Sequence, residues 1–127
     1  YAEESLHMDG QSDSRKPVAR PQRLKGEVLA AMGRLEEASR LLDTSVQLAE
    51  AIKAPREIWL GKAALGKVLT RMGKDKQAES ELSLAVQTIE GILGRLRTLR
   101  LRQAFMTAEP VQEVYRTLGR RPPEGAR

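Results

Sequence analysis

Two stretches decide the fold when one is set above the other: KGEVLAAMGRLEEASRLLDTSVQLAE at residues 25–50 and LGKVLTRMGKDKQAESELSLAVQTIE at residues 65–90. They align without a gap and agree at ten of 26 positions. The matches are Gly26/Gly66, Val28/Val68, Leu29/Leu69, Met32/Met72, Gly33/Gly73, Ala38/Ala78, Leu42/Leu82, Val46/Val86, Gln47/Gln87 and Glu50/Glu90. Most are small or apolar, the residue types that close packing constrains. The chain therefore repeats one structural unit at a spacing of 40 residues.

Each unit reads as a pair of helices. Leu24, Val28, Leu29 and Met32 recur at helical spacing, and Gly33 then stops the helix by accepting a left-handed conformation. A second helix follows, with Leu35, Ala38, Leu41, Leu42, Ser45, Val46 and Ala49 along one stripe. The next unit repeats this with Leu65, Val68, Leu69 and Met72, a turn at Gly73, and then Ala78, Leu82, Ala85, Val86 and Ile89. Gly26 and Ala38 are small where the two helices approach, so their backbones can come near without clash. Lys53-Ala54-Pro55 separates the units, and Pro55 suits a first helical turn.

Outward from this core, residues 17–54 form unit one and residues 55–94 form unit two. Residues 1–16 read as the last turns of a preceding helix, Tyr1 to Met8, plus a polar loop, and the chain reads as cut from a longer protein. Residues 95–119 are expected to supply capping helices, one over about 96–107 with Leu96, Leu99 and Phe105 inside. The other opens at Glu109-Pro110 and stops at Gly119. Residues 120–127, with two prolines, are expected to be disordered. The fold class is thus all-α, an α-solenoid of antiparallel helix–turn–helix hairpins with a C-terminal capping helix.

Composition agrees. Leu and Ala supply most of the apolar side chains, while aromatic residues are 3% of the 127. These are helix-forming residues, and strand-favouring types are scarce. The absence of cysteine removes disulfides, thiolate metal sites and cysteine nucleophiles. No apolar run approaches the roughly 20 residues that span a bilayer, and the N-terminus has no signal-peptide pattern. A cytoplasmic location is expected. The net charge of +5 resides in residues 95–127, which hold eight arginines and three glutamates.

The unit resembles the tetratricopeptide repeat. The likeness rests on a small residue in the first helix (Gly26, Gly66), a large one three later (Leu29, Leu69) and glycine at the turn (Gly33, Gly73). Alanine (Ala38, Ala78), a large apolar residue (Leu42, Leu82) and a small one (Ser45, Ala85) follow. The period of 40 is that of a long-helix variety, similar to the C-terminal arrays of large bacterial multidomain regulators. Ser14-Arg15-Lys16 ahead of Arg23-Leu24-Lys25-Gly26, and Leu101 to Phe105 followed by Pro110-Val111, carry that second likeness. The resemblance implies a concave groove lined by first helices. Arg20, Arg23, Glu27 and Ala30 would face it in unit one, and Leu60, Ala63, Lys67 and Thr70 in unit two. Arg23 and Glu27 stand where the carboxylate-clamp subclass has lysine and asparagine, so that clamp does not carry over.

Nothing in the chain assembles into a catalytic set. His7 is the single histidine, which excludes paired imidazole chemistry and His-His metal sites. Glu36-Glu37 are adjacent on a helix, about 100° apart, and sit where negative charge favours the helix start. The glycines follow no strand and precede no Gly-Lys-Ser/Thr, so they form no phosphate loop. Serines and threonines lack a base partner. Trp59 reads as packing. Arg95, Arg97, Arg100 and Arg102 form a candidate basic surface for phosphates or acidic segments. No aromatic residue interleaves with them, which disfavours nucleic acid. The expectation is a non-enzymatic scaffold without cofactor or metal. Its groove would bind a protein or peptide partner, or another domain of its parent, and an exposed end would permit a homodimer. An effector-sensing module and nucleic-acid binding through the Arg-rich tail are the rival expectations.

Overall fold

A computed structural model describes residues 15–123 of the chain, and the expectations for residues 1–14 and 124–127 lie outside it. Six helices and no strand are found among the described residues: α1 (Arg15–Ala31), α2 (Leu35–Ala51), α3 (Pro55–Arg71), α4 (Asp75–Arg95), α5 (Leu99–Thr107) and α6 (Glu109–Leu118). The starts of α1 and α3 are 40 residues apart, and so are those of α2 and α4, which is the period of the sequence. Unit one begins slightly before residue 17, because α1 takes in Arg15 and Lys16.

The turns follow from backbone chemistry. Gly33 and Gly73 adopt φ of 85° and 80°, the left-handed region. In each case the next residue's N–H returns to the carbonyl five residues back, Arg34 to Leu29 and Lys74 to Leu69, both at 2.9 Å. The glycine N–H bonds three residues back, to Ala30 and Thr70. This double closure satisfies carbonyls that a helix end otherwise leaves bare.

Packing is set by a glycine–leucine lock that occurs twice. A Cβ built on Gly26 would lie 2.8 Å from Leu42 Cγ, and one on Gly66 would lie 2.6 Å from Leu82 Cγ. Gly26, Ala38 and Leu42 are all buried, as are Gly66, Leu69, Ala78 and Leu82, while Leu29 is half-buried against the same core. Helix α2 packs on α1 within its hairpin and on α3 across the junction, so adjacent hairpins stack, an arrangement compatible with an α-solenoid. The junction core joins Ala38 and Leu42 to Leu65, Val68 and Leu69.

A second core closes the C-terminal end. Ile89, Val86 and Ala85 of α4 meet Trp59 of α3, Met106 of α5, and Val111, Val114 and Tyr115 of α6. Phe105 approaches Trp59 edge-on, with ring centroids 6.3 Å apart. Tyr115 Oη donates to Glu90 Oε2 at 2.9 Å.

Three expectations are corrected here. Leu24, Val28 and Met32 are 45%, 58% and 63% exposed, because their face of α1 points away from α2. Helix α4 runs on through Gly91 and Gly94, and α5 starts at Leu99 rather than 96, where Thr98 Oγ1 accepts from Leu101 N at 3.1 Å. Leu99 consequently faces outward, and Met106 takes the inner place on α5. Arg120 belongs to the fold instead of a loose tail: its N–H closes the Gly119 turn on Tyr115, and its guanidinium donates to Ser83.

Candidate functional site

The side chains of α1, α3 and α6 enclose a cleft of about 510 Å³. Its lining includes Arg23, Glu27 and Ala30 from α1, and Leu60, Ala63 and Lys67 from α3. Six of the eight residues expected in the groove are thus brought together. Arg20 and Thr70 are corrections. Arg20 is exposed and outside the lining, and Thr70 turns its hydroxyl to the Gly66 carbonyl at 2.9 Å. Arg20 lies ahead of Arg23, the first lining residue of α1, whereas Thr70 lies between the lining residues Val68 and Arg71 but is not part of the lining itself.

The floor is aliphatic. Ala30, Ala63, Ala64 and Val68 line it, with Trp59 and Leu60 toward the C-terminal end. The small residues follow from the helix approach: where α1 and α3 run side by side, alanine leaves space that larger side chains would fill.

The rim is charged, and its charged side chains are engaged within the fold. Arg23 is buried, with Nε donating to Glu57 Oε1 at 3.1 Å and Nη1 to Glu27 Oε2 at 3.0 Å. The first contact ties unit one to the first turn of α3. Lys67 Nζ meets Glu113 Oε1 at 3.0 Å, bridging α3 to α6. Arg71 Nη1 donates to the Ala30 carbonyl at 2.7 Å, capping the last turn of α1. Glu109 is held by Arg116 Nη2 at 2.6 Å. A cation already matched to a carboxylate has little left to offer an incoming anion. The cleft therefore presents an apolar strip between polar edges in which Arg23 and Lys67 are matched to carboxylates and Arg71 is engaged by a backbone carbonyl.

The wall made by Glu109, Pro110 and Glu113 was missed in the sequence. Helix α6 lies outside the repeated units, so no alignment of one unit on the other places it. The one available signal was the complementary charge of Lys67 and Glu113. Arg71 was missed because its counterpart one period earlier is Ala31, which breaks the repeat.

The basic row is unevenly exposed. Arg95, Arg97 and Arg100 are exposed, and Arg102 is half-buried. No group of His, Cys, Asp or Glu among the described residues is arranged to hold a metal, and no described helix is long and apolar enough to cross a membrane. No protein-family model, curated protein or solved structure matches the chain.

Proposed function

We propose that the chain is a non-catalytic binding scaffold of tetratricopeptide type, and that its cleft between α1, α3 and α6 receives an amphipathic segment of a protein partner. The observation that carries this reading is the combination of an aliphatic floor with a rim on which Arg23 and Lys67 already hold carboxylates. Such a surface rewards apolar side chains more than free phosphate, because Arg23 and Lys67 already hold carboxylates and Arg71 is engaged by the Ala30 carbonyl. Helix-in-groove recognition uses apolar anchors at i, i+3, i+4 and i+7. A cleft of this volume takes two or three such anchors. The resemblance to the C-terminal arrays of bacterial regulators suggests that the segment comes from another domain of a parent protein or from a signalling partner.

The test is selection of peptides from a random amphipathic library on the full chain, followed by affinity measurement against two cleft variants. Ala63→Arg fills the floor, and Lys67→Glu turns the bridge to Glu113 into a repulsion. Selected peptides should carry an apolar stripe and bind each variant at least about tenfold more weakly. Enrichment of acidic or phosphorylated sequences without such a stripe would refute the reading, as would binding to both variants as tight as to the unmodified chain.

A further inference from the structure

Residues 91–108 hold four arginines and no carboxylate: Glu90 precedes the stretch and Glu109 follows it. Other exposed cations have a carboxylate close by in the chain, Glu27 after Lys25, Asp43 after Arg40 and Asp75 after Lys74. The fold engages Arg23, Lys67, Arg71 and Arg116 through carboxylates or a carbonyl. The guanidinium groups of Arg95, Arg97 and Arg100 meet no partner among the described residues. Positive charge is thus left unmatched at the junction of α4 and α5.

The same junction is apolar as well as basic. Leu99 and Leu101 are each more than half exposed. Of residues 94–101, all but the half-buried Leu96 are exposed. The segment therefore stands clear of the neighbouring helices, a ridge rather than a groove. A ridge suits a flat partner, whereas a bound peptide needs walls.

The leucines decide between the flat anionic partners. A nucleic acid would match phosphate to arginine but leave both leucines in water. It would also find no free ring to stack on, since Phe105 is half-buried and edge-on to Trp59. A bilayer with anionic headgroups takes both kinds of side chain at once, arginine among the headgroups and leucine at the boundary of the acyl chains. We infer that the α4–α5 junction attaches the protein reversibly to an anionic lipid surface, through Arg95, Arg97 and Arg100 with Leu99 and Leu101. None of these residues lines the cleft, so the two surfaces are tested apart.

The full chain is sedimented with vesicles of phosphatidylcholine alone, and with vesicles holding about 30% phosphatidylserine. It should bind the anionic vesicles at least about tenfold more tightly, with an affinity that falls as salt rises. Arg95→Gln, Arg97→Gln and Arg100→Gln together should weaken that binding at least about tenfold, and Leu99→Ser with Leu101→Ser at least about threefold. Lys25→Gln, Arg40→Gln and Lys74→Gln together remove the same charge elsewhere and should change it less than about threefold. Equal loss from the two triple variants would reduce the attraction to net charge and overturn the inference. Equal binding to neutral vesicles, or no effect of the leucine pair, would overturn it as well. So would failure to bind vesicles, and arginine-dependent binding of an oligonucleotide or a glutamate-rich peptide instead would give the junction to that partner.

A second readout does not depend on removing any of these side chains. The chain lacks cysteine, so Gln103→Cys and, separately, Gln77→Cys each place one environment-sensitive fluorophore, on α5 and near the start of α4. Anionic vesicles should shift the emission of the first to the blue and leave the second unchanged. A shift at residue 77 without one at residue 103 would overturn the inference even if the chain binds.

Discussion

Gly66 lies close against Leu82 in the second hairpin, and Gly26 and Leu42 repeat the contact in the first. A methyl group at Gly66 would overlap Leu82 Cγ and Cδ2, at 2.6 and 2.8 Å, so the helices must separate or Leu82 must leave its rotamer. Gly66→Ala gains about 1 kcal/mol of helix propensity and loses more to overpacking, typically about 1–3 kcal/mol. Denaturant titration should show net destabilisation, and Leu82→Ala in the same chain should relieve part of it, since the two changes share one contact. These glycines were legible because identity across 40 residues marks positions where only one residue type fits. The stripe of Leu24, Val28 and Met32 was legible as apolar but was misread as buried. Helical periodicity reports that a face exists, and what covers it depends on residues elsewhere.

Tyr115 supplies a pH signature. Burial, and then its hydrogen bond to the Glu90 carboxylate, push the phenol well above its ordinary value of 10.0. With the folded value raised, this contribution is complete below pH 10. As pH rises further, the unfolded chain releases the proton while the folded chain keeps it. Stability should then fall by up to about 1.4 kcal/mol per pH unit. Tyr115→Phe should remove that extra alkaline slope, and an unchanged slope would show that other groups carry it.

Among the elements, four helix ends close in one way although their sequences differ. Gly33, Gly73 and Gly119 take the left-handed position, and Lys53 takes it at the end of α2 with φ of 55°. There Ala54 N returns to the Ala49 carbonyl at 3.0 Å. Three of these turns are announced by glycine, at Gly33, Gly73 and Gly119, whereas at Lys53 only the following Pro55 does so. The end of α4 shows the reverse failure. Gly91 and Gly94 suggest a stop, yet both remain helical because Ile92 and Leu93 pack onto the C-terminal core. Tertiary burial outweighs a local cost of about 1 kcal/mol per glycine.

Between elements, the Arg23–Glu57 pair fixes how α1 meets α3, with both side chains about nine-tenths buried. Arg23→Met leaves Glu57 without its buried cation and should cost about 3 kcal/mol. Adding Glu57→Gln should recover much of the loss, whereas purely additive effects would show that the pair is not coupled.

At the scale of the whole molecule, the repeat places α1 and α3 side by side and α6 completes the enclosure, so the cleft is a product of stacking rather than of any motif. That explains why the sequence yielded six of its lining residues and missed the α6 wall: the repeat carries information about its own units alone. It also explains why the charged rim was legible only as composition, since the pairing of Lys67 with Glu113 spans 46 residues. Helices in such stacks contact mainly their neighbours, and a ligand in the cleft should therefore perturb α1, α3 and α6 together while leaving the outer face of α2 untouched. The direct measurement is amide chemical-shift mapping of the full chain with a peptide selected as above. The account predicts shifts concentrated at residues 23–31, 59–71 and 109–113. Shifts concentrated at residues 95–102 would contradict it and move the binding function to the arginines around the α4–α5 junction.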